Sequence, residues 1–205
     1  MVITYRLGNS LYLNITNNCS CDCLFCIRNL TKGVGDADSL WLERNPSVEE
    51  IKLALEESLR KQDAKEIVFC GYGEPMMRAN VVINISKYIK DNFSSLYEKP
   101  APLVRVNTNG LAFLMHPDFD VSQLAVVDTV SISLTADDNE EYQRLSRPMY
   151  GRAAYPALLA FAKQAKEHTQ VVFSIVEGTL PKERVKNCIK IASDMGIELR
   201  IREME

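Results

Sequence analysis

Short apolar runs recur along this chain, and a stretch with helically spaced apolar residues separates each from the next. The runs at 11–15 (LYLNI), 66–70 (EIVFC), 103–107 (LVRVN), 129–134 (TVSISL), 171–176 (VVFSIV) and 197–201 (IELRI) read as strands. Between the first two, Ser47 and Glu50 form a capping-box pattern that opens a helix to about residue 61, with Ile51, Leu55 and Leu59 on one side. Val81, Ile85, Tyr88 and Ile89 mark a second helix. Leu158, Leu159, Ala162 and Ala165 mark another at about 153–167. The last helix starts near Pro181, is expected to turn Val185, Cys188, Ile189, Ala192 and Met195 inward, and stops at Gly196. Strand–helix alternation implies parallel strands joined by right-handed crossovers. Eight such units need about 250 residues and six need roughly 190. The 205 residues therefore suit an α/β fold, a partial (β/α)6 TIM-like barrel of parallel strands. A doubly wound open sheet would give the same string. Residues 2–6, joined to the first strand through Gly8 and Asn9, are expected to add an N-terminal hairpin arm. With no repeat, low-complexity tract or linker, residues 1–205 read as a single domain.

The formal net charge of −3 gives no electrostatic grip on nucleic acid. No apolar run approaches the roughly 18 residues of a membrane span, and the N-terminus lacks the pattern of a signal peptide. These features lead us to expect a cytoplasmic protein without a membrane partner. Six cysteines could make three disulfides in a secreted chain. Here Cys19, Cys21, Cys23 and Cys26 crowd into one loop, and Cys70 and Cys188 sit in apolar segments, where they read as buried fillers. Such crowding fits a metal or redox site in a reducing compartment.

In parallel α/β folds, ligands bind at the C-terminal ends of the strands. The polar segments of this chain lie there. The cysteines follow the first strand, CGYGEP (70–75) the second, NTNG (107–110) the third, TADDNEEY (135–142) the fourth and EGTLP (177–181) the fifth. The long segment 29–45, rich in Gly, Asp and Lys, reads as a loop of the kind that serves a site. Zinc sites usually pair two C-x2-C knuckles. No second knuckle exists, and His116 and His168, read as surface residues, are remote in sequence. Three-cysteine ligation of an iron–sulfur cluster would leave one iron open for catalysis.

Cys19-x3-Cys23-x2-Cys26, with Phe25 before the last cysteine, resembles the signature of the radical S-adenosylmethionine (radical SAM) enzymes. GYGEP resembles that family's glycine–glutamate–proline motif, and NTNG and SISLTADDNEEYQRLSRP (131–148) are similar to its core. The resemblance covers about residues 10–202. YLNITNNC and FCGYGEP further resemble the TatD-linked radical SAM group, named for its association with TatD-type nucleases. The resemblance implies that Cys19, Cys23 and Cys26 hold a 4Fe–4S cluster while Cys21 does not. It also implies that S-adenosylmethionine occupies the open iron and is cleaved reductively to a 5′-deoxyadenosyl radical, which abstracts hydrogen from a substrate. Gly71, Gly73 and Glu74 would hold the cofactor's ammonium side. Ammonium groups need carbonyl or carboxylate acceptors, and glycines let backbone approach closely. Asn107, Ser133 and Thr135 are further cofactor-binding candidates. Ser174 and Glu177 are weaker cofactor-binding candidates, and Arg105, Arg144 and Arg147 are candidates to reach a carboxylate. An electron donor such as flavodoxin or ferredoxin is implied, with a functional link to a TatD-type nuclease.

Each reading has a plainer rival. G-x-G is also an ordinary turn, polar residues after strands satisfy backbone groups, and most arginines are simply on the surface. At the level of the whole protein, the rivals are a glycyl-radical-activating enzyme, a nucleoside- or peptide-modifying enzyme, and a non-catalytic iron–sulfur or zinc-binding module. GYGEP favours catalysis, because a structural metal site needs no acceptors for an ammonium. Ending at RIREME without another cysteine cluster, the chain is expected to form a laterally open barrel that a macromolecular substrate or partner could close.

Overall fold

The computed structural model describes residues 1–31, 33–97 and 100–203. A hairpin opens the fold. Strands β1 (Thr4–Leu7) and β2 (Ser10–Leu13) pair antiparallel, with Gly8 at φ +59° in the tight turn. Gly supplies that conformation without steric cost. A short helix α1 (Ile27–Leu30) and the segment 31–46 lead to helix α2 (Val48–Lys61). Ser47 and Glu50 form the expected capping box: Glu50 N donates to Ser47 Oγ (3.2 Å) and Ser47 N to Glu50 Oε2 (2.8 Å). Then come β3 (Glu66–Phe69), α3 (Ala79–Tyr97), β4 (Leu103–Thr108), α4 (Ala112–Met115), β5 (Thr129–Ser133), α5 (Asn139–Ser146), α6 (Ala154–Ala165), β6 (Gln170–Val176), α7 (Lys182–Asp194) and β7 (Glu198–Arg202).

The seven strands make one sheet in sequence order, and every pair from β2 to β7 is parallel. That order decides between the two architectures. A doubly wound sheet reverses its direction of growth at a switch point. Here each right-handed crossover steps the same way, which puts all the helices on one face. The result is a curved, incomplete barrel with β1 and β7 at its edges.

Period-two alternation sorts the strand residues. Leu11, Leu13, Ile67, Phe69, Val104, Val106, Val130 and Ile132 pack outward against the helices, where Ile51, Leu55 and Leu59 of α2 meet them. The inner face divides in two. Toward β1–β3 it is apolar, with Tyr5, Tyr12 and Val68 in a second cluster completed by Val34 and Leu40 from segment 31–46. Toward β4–β6 it is polar, with Arg105, Asn107, Ser131, Ser133 and Ser174 facing the barrel interior.

Helix α5 lies where the sequence reads as a polar rim loop. Asp138 caps it, accepting from Glu141 N (2.8 Å), and Glu141 then pairs with Arg144.

Candidate functional site

The loops after β2, β3, β4 and β5 meet above the inner face around one cavity of about 220 Å³. All four loop cysteines, Cys19, Cys21, Cys23 and Cys26, line it, as do Gly71, Glu74, Asn107, Ser133 and Thr135. Gly73 does not.

Buried hydrogen bonds lock the loops together. Glu74 N donates to Asn18 O (2.8 Å), tying the loop after β3 to the residue before Cys19. The Glu74 side chain, only 4% exposed, reaches the loop after β4. Its Oε1 accepts from Met76 N (2.9 Å) and Thr108 Oγ1 (2.7 Å), and its Oε2 accepts from Asn109 N (2.6 Å). A carboxylate has about four acceptor sites, so one direction remains for a ligand. Burial raises the Glu74 pKa above the usual carboxylate range, although the three donors pull the other way. Asn109 closes the ring: its Nδ2 donates to Ser20 Oγ (2.9 Å) and Cys21 Sγ (3.5 Å).

The two glycines serve packing between loops. A Cβ on Gly73 would sit 2.2 Å from Thr16 O and 2.7 Å from Asn18 O, and one on Gly71 would sit 2.1 Å from Asn14 Oδ1. Close approach of backbone does explain them, but the approaching groups belong to the loop after β2. On the far side, Thr135 has φ +65°, a rare conformation for a β-branched residue, held by a tight turn in which Ala136 N donates to Leu134 O (2.7 Å). Backbone held in such a region clusters at functional sites.

Residues 33–42 form the apolar wall, with Val34, Ala37 and Leu40 in the second cluster. Asn14 Nδ2 donates to Leu40 O (2.7 Å), Asn17 Nδ2 to Leu42 O (2.7 Å), and Leu42 N returns a bond to Asn17 Oδ1 (3.0 Å). Trp41 stays half exposed, edge-on to Tyr72 with ring centroids 5.2 Å apart.

The cysteines differ electrostatically. Burial, then the Glu74 carboxylate, pushes the Cys19 thiol up to about 12. Burial raises Cys26 too. Cys23 is lowered, chiefly because the Cys21 thiol hydrogen-bonds to it, with Ser146 adding a second bond. Burial of this kind favours neutral thiols at Cys19 and Cys26. Among the described residues no three His, Cys, Asp or Glu side chains converge closely enough to hold one metal ion.

Cys70 departs from its simplest reading as a buried filler. Cys21 is a buried residue, 6% exposed, bridged to Pro148. Cys70 lines the cavity and is only partly buried, whereas Cys188 is fully buried. Arg105 reaches the interior, where its Nη2 meets Glu66 Oε2 (2.9 Å). Buried Arg105 Nε and Asn107 Oδ1 have no protein partner, and both residues line the cavity. Arg144, Arg147 and Glu177 lie outside the lining. His116 is half buried, with Nε2 2.8 Å from Met76 O.

Comparisons with known proteins agree with this geometry. No curated protein matches the chain. Among solved structures, the chain is similar to Streptococcus suis SuiB bound to precursor peptide SuiA (15% identity, TM-score 0.69, covering 96% of this chain and 39% of that one). It is also similar to anSMEcpe with bound AdoMet and Cp18Cys peptide (13%, 0.66, 94% and 50%). A third likeness is to TYW1 with a lysine–pyruvate adduct (13%, 0.62, 96% and 65%). At these identities the likeness establishes the fold, and the chain spans less than two thirds of each structure. The family model of the radical SAM superfamily matches residues 13–201, nearly the whole chain. The protein belongs to the radical SAM superfamily.

Proposed function

We propose that Cys19, Cys23 and Cys26 hold a 4Fe–4S cluster beside bound S-adenosylmethionine, and that the protein cleaves this cofactor reductively to abstract hydrogen from a substrate inside the barrel. The observation that carries this reading is the convergence of the three cysteines with Glu74, Ser133 and Thr135 on one cavity. When bound, the cluster supplies the single electron that splits the sulfonium into methionine and a 5′-deoxyadenosyl radical.

The chain's own groups then position and shield. The remaining acceptor direction of Glu74, with the carbonyls of its loop, takes the cofactor's ammonium. Ser133 and Thr135 offer hydroxyls to ribose or carboxylate oxygens. Val34 and Leu40 keep water from the apolar side. Arg105 Nε and Asn107 Oδ1, without protein partners, are available to the substrate. A macromolecular substrate is supported by the incomplete barrel and by the peptides bound in two of the similar structures. The TatD-type nuclease link rests on the motif resemblance alone. No helix among the described residues is long and apolar enough to cross a membrane.

The test is anaerobic reconstitution with iron and sulfide, reduction by dithionite, and chromatography of the products. Brown protein that releases 5′-deoxyadenosine, faster with substrate, is the expected result. Colourless zinc protein, or a loaded protein that yields S-adenosylhomocysteine and never 5′-deoxyadenosine, would overturn the reading.

A further inference from the structure

Strand β4 serves two levels of the barrel. At its C-terminal end, Thr108 and the next residue, Asn109, are taken up by the Glu74 carboxylate and the cysteine loop. Lower on the inner face stand Asn107 and Arg105, in register with Ser131 and Thr129 of β5. Both line the cavity. An ion pair holds Arg105 there: its Nη2 donates to Glu66 Oε2 (2.9 Å), and the two side chains are 21% and 24% exposed. Glu66 Oε2 also accepts from Ser10 Oγ (3.4 Å). The same carboxylate acts on Arg200 of β7, whose pKa is raised first by its hydrogen bond to Glu198 and then by Glu66. One carboxylate thus faces two guanidinium groups, and Arg105 keeps part of its charge for a ligand.

Two buried atoms on this wall lack a protein partner: Arg105 Nε, a charged donor, and Asn107 Oδ1, an acceptor. Each carries an uncompensated desolvation penalty until something binds it. Packing does not demand polar groups here. Val68 beside Arg105 and Val172 beside Ser131 fill the same inner face, and a partly buried ion pair recovers little of its desolvation cost. The wall therefore offers the cavity a donor and an acceptor, two residues apart on one strand face, about 6–7 Å along the strand. A bare carboxylate meets the guanidinium but gives Asn107 Oδ1 nothing. A lone ammonium meets the amide and is repelled by Arg105. A group that satisfies both carries anionic oxygens beside a protonated nitrogen.

We propose that Arg105 and Asn107 form a substrate subsite for an α-amino-acid unit with a free carboxylate: Arg105 takes the carboxylate, and Asn107 accepts from the adjacent nitrogen. The inference rests on the radical reading above and adds the chemical class of the substrate. A free amino acid presents an ammonium there, and the C-terminal residue of a peptide presents an amide N–H. The planar guanidinium fork matches the carboxylate, so it fixes the head of the substrate against β4 and leaves the rest to face the rim that carries the cysteines. Ser131, in register with Asn107, adds a hydroxyl at the same level.

Anaerobic thermal melts of the reconstituted protein, with saturating S-adenosylmethionine to fill the cofactor's own site, test it. The probes are the free amino acids other than cysteine and histidine, their N-acetyl derivatives, and the C-terminal amides of both sets. At about ten times Kd, mass action raises the melting temperature by roughly 3–6 °C for a chain of this size. At least one acid should give such a rise, and its amide less than about a third of it. Which set responds separates a free amino acid from a peptide C-terminus. Arg105→Met and Asn107→Leu should each abolish the rise, and Arg105→Lys should keep part of it. Asn107→Leu leaves the Arg105–Glu66 pair intact, so it stays informative where Arg105→Met fails to fold. Affinity for S-adenosylmethionine should stay within about twofold of the parent in both variants. A loss of about tenfold would assign the wall to the cofactor's own amino-acid end and overturn the proposal. No rise from any acid, equal rises from acid and amide, or a rise that survives in both variants would overturn it too. Iron and sulfide analysis comes first. Protein that takes up no cluster would sink the cluster reading, while melts of the metal-free chain still read the subsite.

Discussion

Replacing Glu74 by glutamine removes one negative charge from the centre of the hydrogen-bond ring while keeping its volume. In the parent, Oε1 serves Met76 N and Thr108 Oγ1, and Oε2 serves Asn109 N. The amide retains one oxygen, so the Asn109 N–H at 2.6 Å would face an NH2 group and lose its acceptor. A hydrogen bond to a charged group is worth about 1.5–3 kcal/mol, and leaving a buried donor unpaired costs about 1–3 kcal/mol. Relief from burying a carboxylate offsets part of this, because burial already raises the Glu74 pKa. The balance is about 2 kcal/mol, which at roughly 2–4 °C per kcal/mol for a chain of this size lowers the melting temperature by about 4–8 °C. Thermal melts of the metal-free protein measure it.

The sign of the pH dependence follows from the same shift. The folded pKa lies above the unfolded one, so the folded chain binds more protons between the two values. Stability therefore falls as pH rises through that window, starting near the usual glutamate range, and Glu74→Gln should lack this slope. A melting temperature within about 2 °C of the parent, with cofactor affinity alone reduced, would show that Glu74 is purely a ligand group and that the ring is not structural.

Three further outcomes follow from the cysteine and glycine environments. Cys19→Ala, Cys23→Ala and Cys26→Ala should each abolish iron binding while Cys21→Ala keeps it; iron retained in Cys19→Ala and lost in Cys21→Ala would mean the ligand register is wrong. In metal-free protein at about pH 8, iodoacetamide should label Cys23 before Cys19, because the Cys21 hydrogen bond lowers Cys23 while burial lifts Cys19 to about 12. Peptide mass spectrometry reads the order, and equal rates would contradict it. Gly73→Ala should cost about 3 kcal/mol, the upper end of overpacking, because backbone oxygens crowd the new methyl from two sides. It should also reduce cluster uptake, since Asn18 precedes Cys19; an unchanged melt would show that the loop yields freely.

The barrel was legible because two signals agreed. Strand alternation and helix spacing both survive in single segments, and the capping box at Ser47 appears where its four residues require it. Sheet order was not legible, because strand neighbours are chosen by the direction of each crossover, which no segment encodes alone. Helix α5 escaped notice for a different reason. Asp138 and Glu141 repeat the spacing of Ser47 and Glu50, but only Tyr142 and Leu145 supply apolar periodicity, so the segment reads as a polar rim. Cavity-lining Ser131 and Arg105 share strand parity with Ser133 and Asn107, and period two alone could have placed them inside.

The site's chemistry and its scaffolding are written in the same residues, and this limits what motif reading can resolve. In GYGEP, an acceptor role toward a cofactor explains the residue types as well as packing does. Only the neighbours separate the two: Gly73 is required by Thr16 O and Asn18 O, and Glu74 by three donors from its own chain. The two roles are also coupled. Because Glu74 N holds Asn18 and its carboxylate holds Asn109, which in turn holds Ser20, the loop that would grip the cofactor also fixes both sides of Cys19. A perturbation of the loop after β3 should therefore disturb the cysteine loop even where no cysteine is touched. The fourth cysteine belongs to the same logic. Cys21 is held inward by its bridge to Pro148, two residues beyond α5, and its thiol accepts from Asn109 Nδ2 (3.5 Å), so the loop after β4 and the segment after α5 both fix its place.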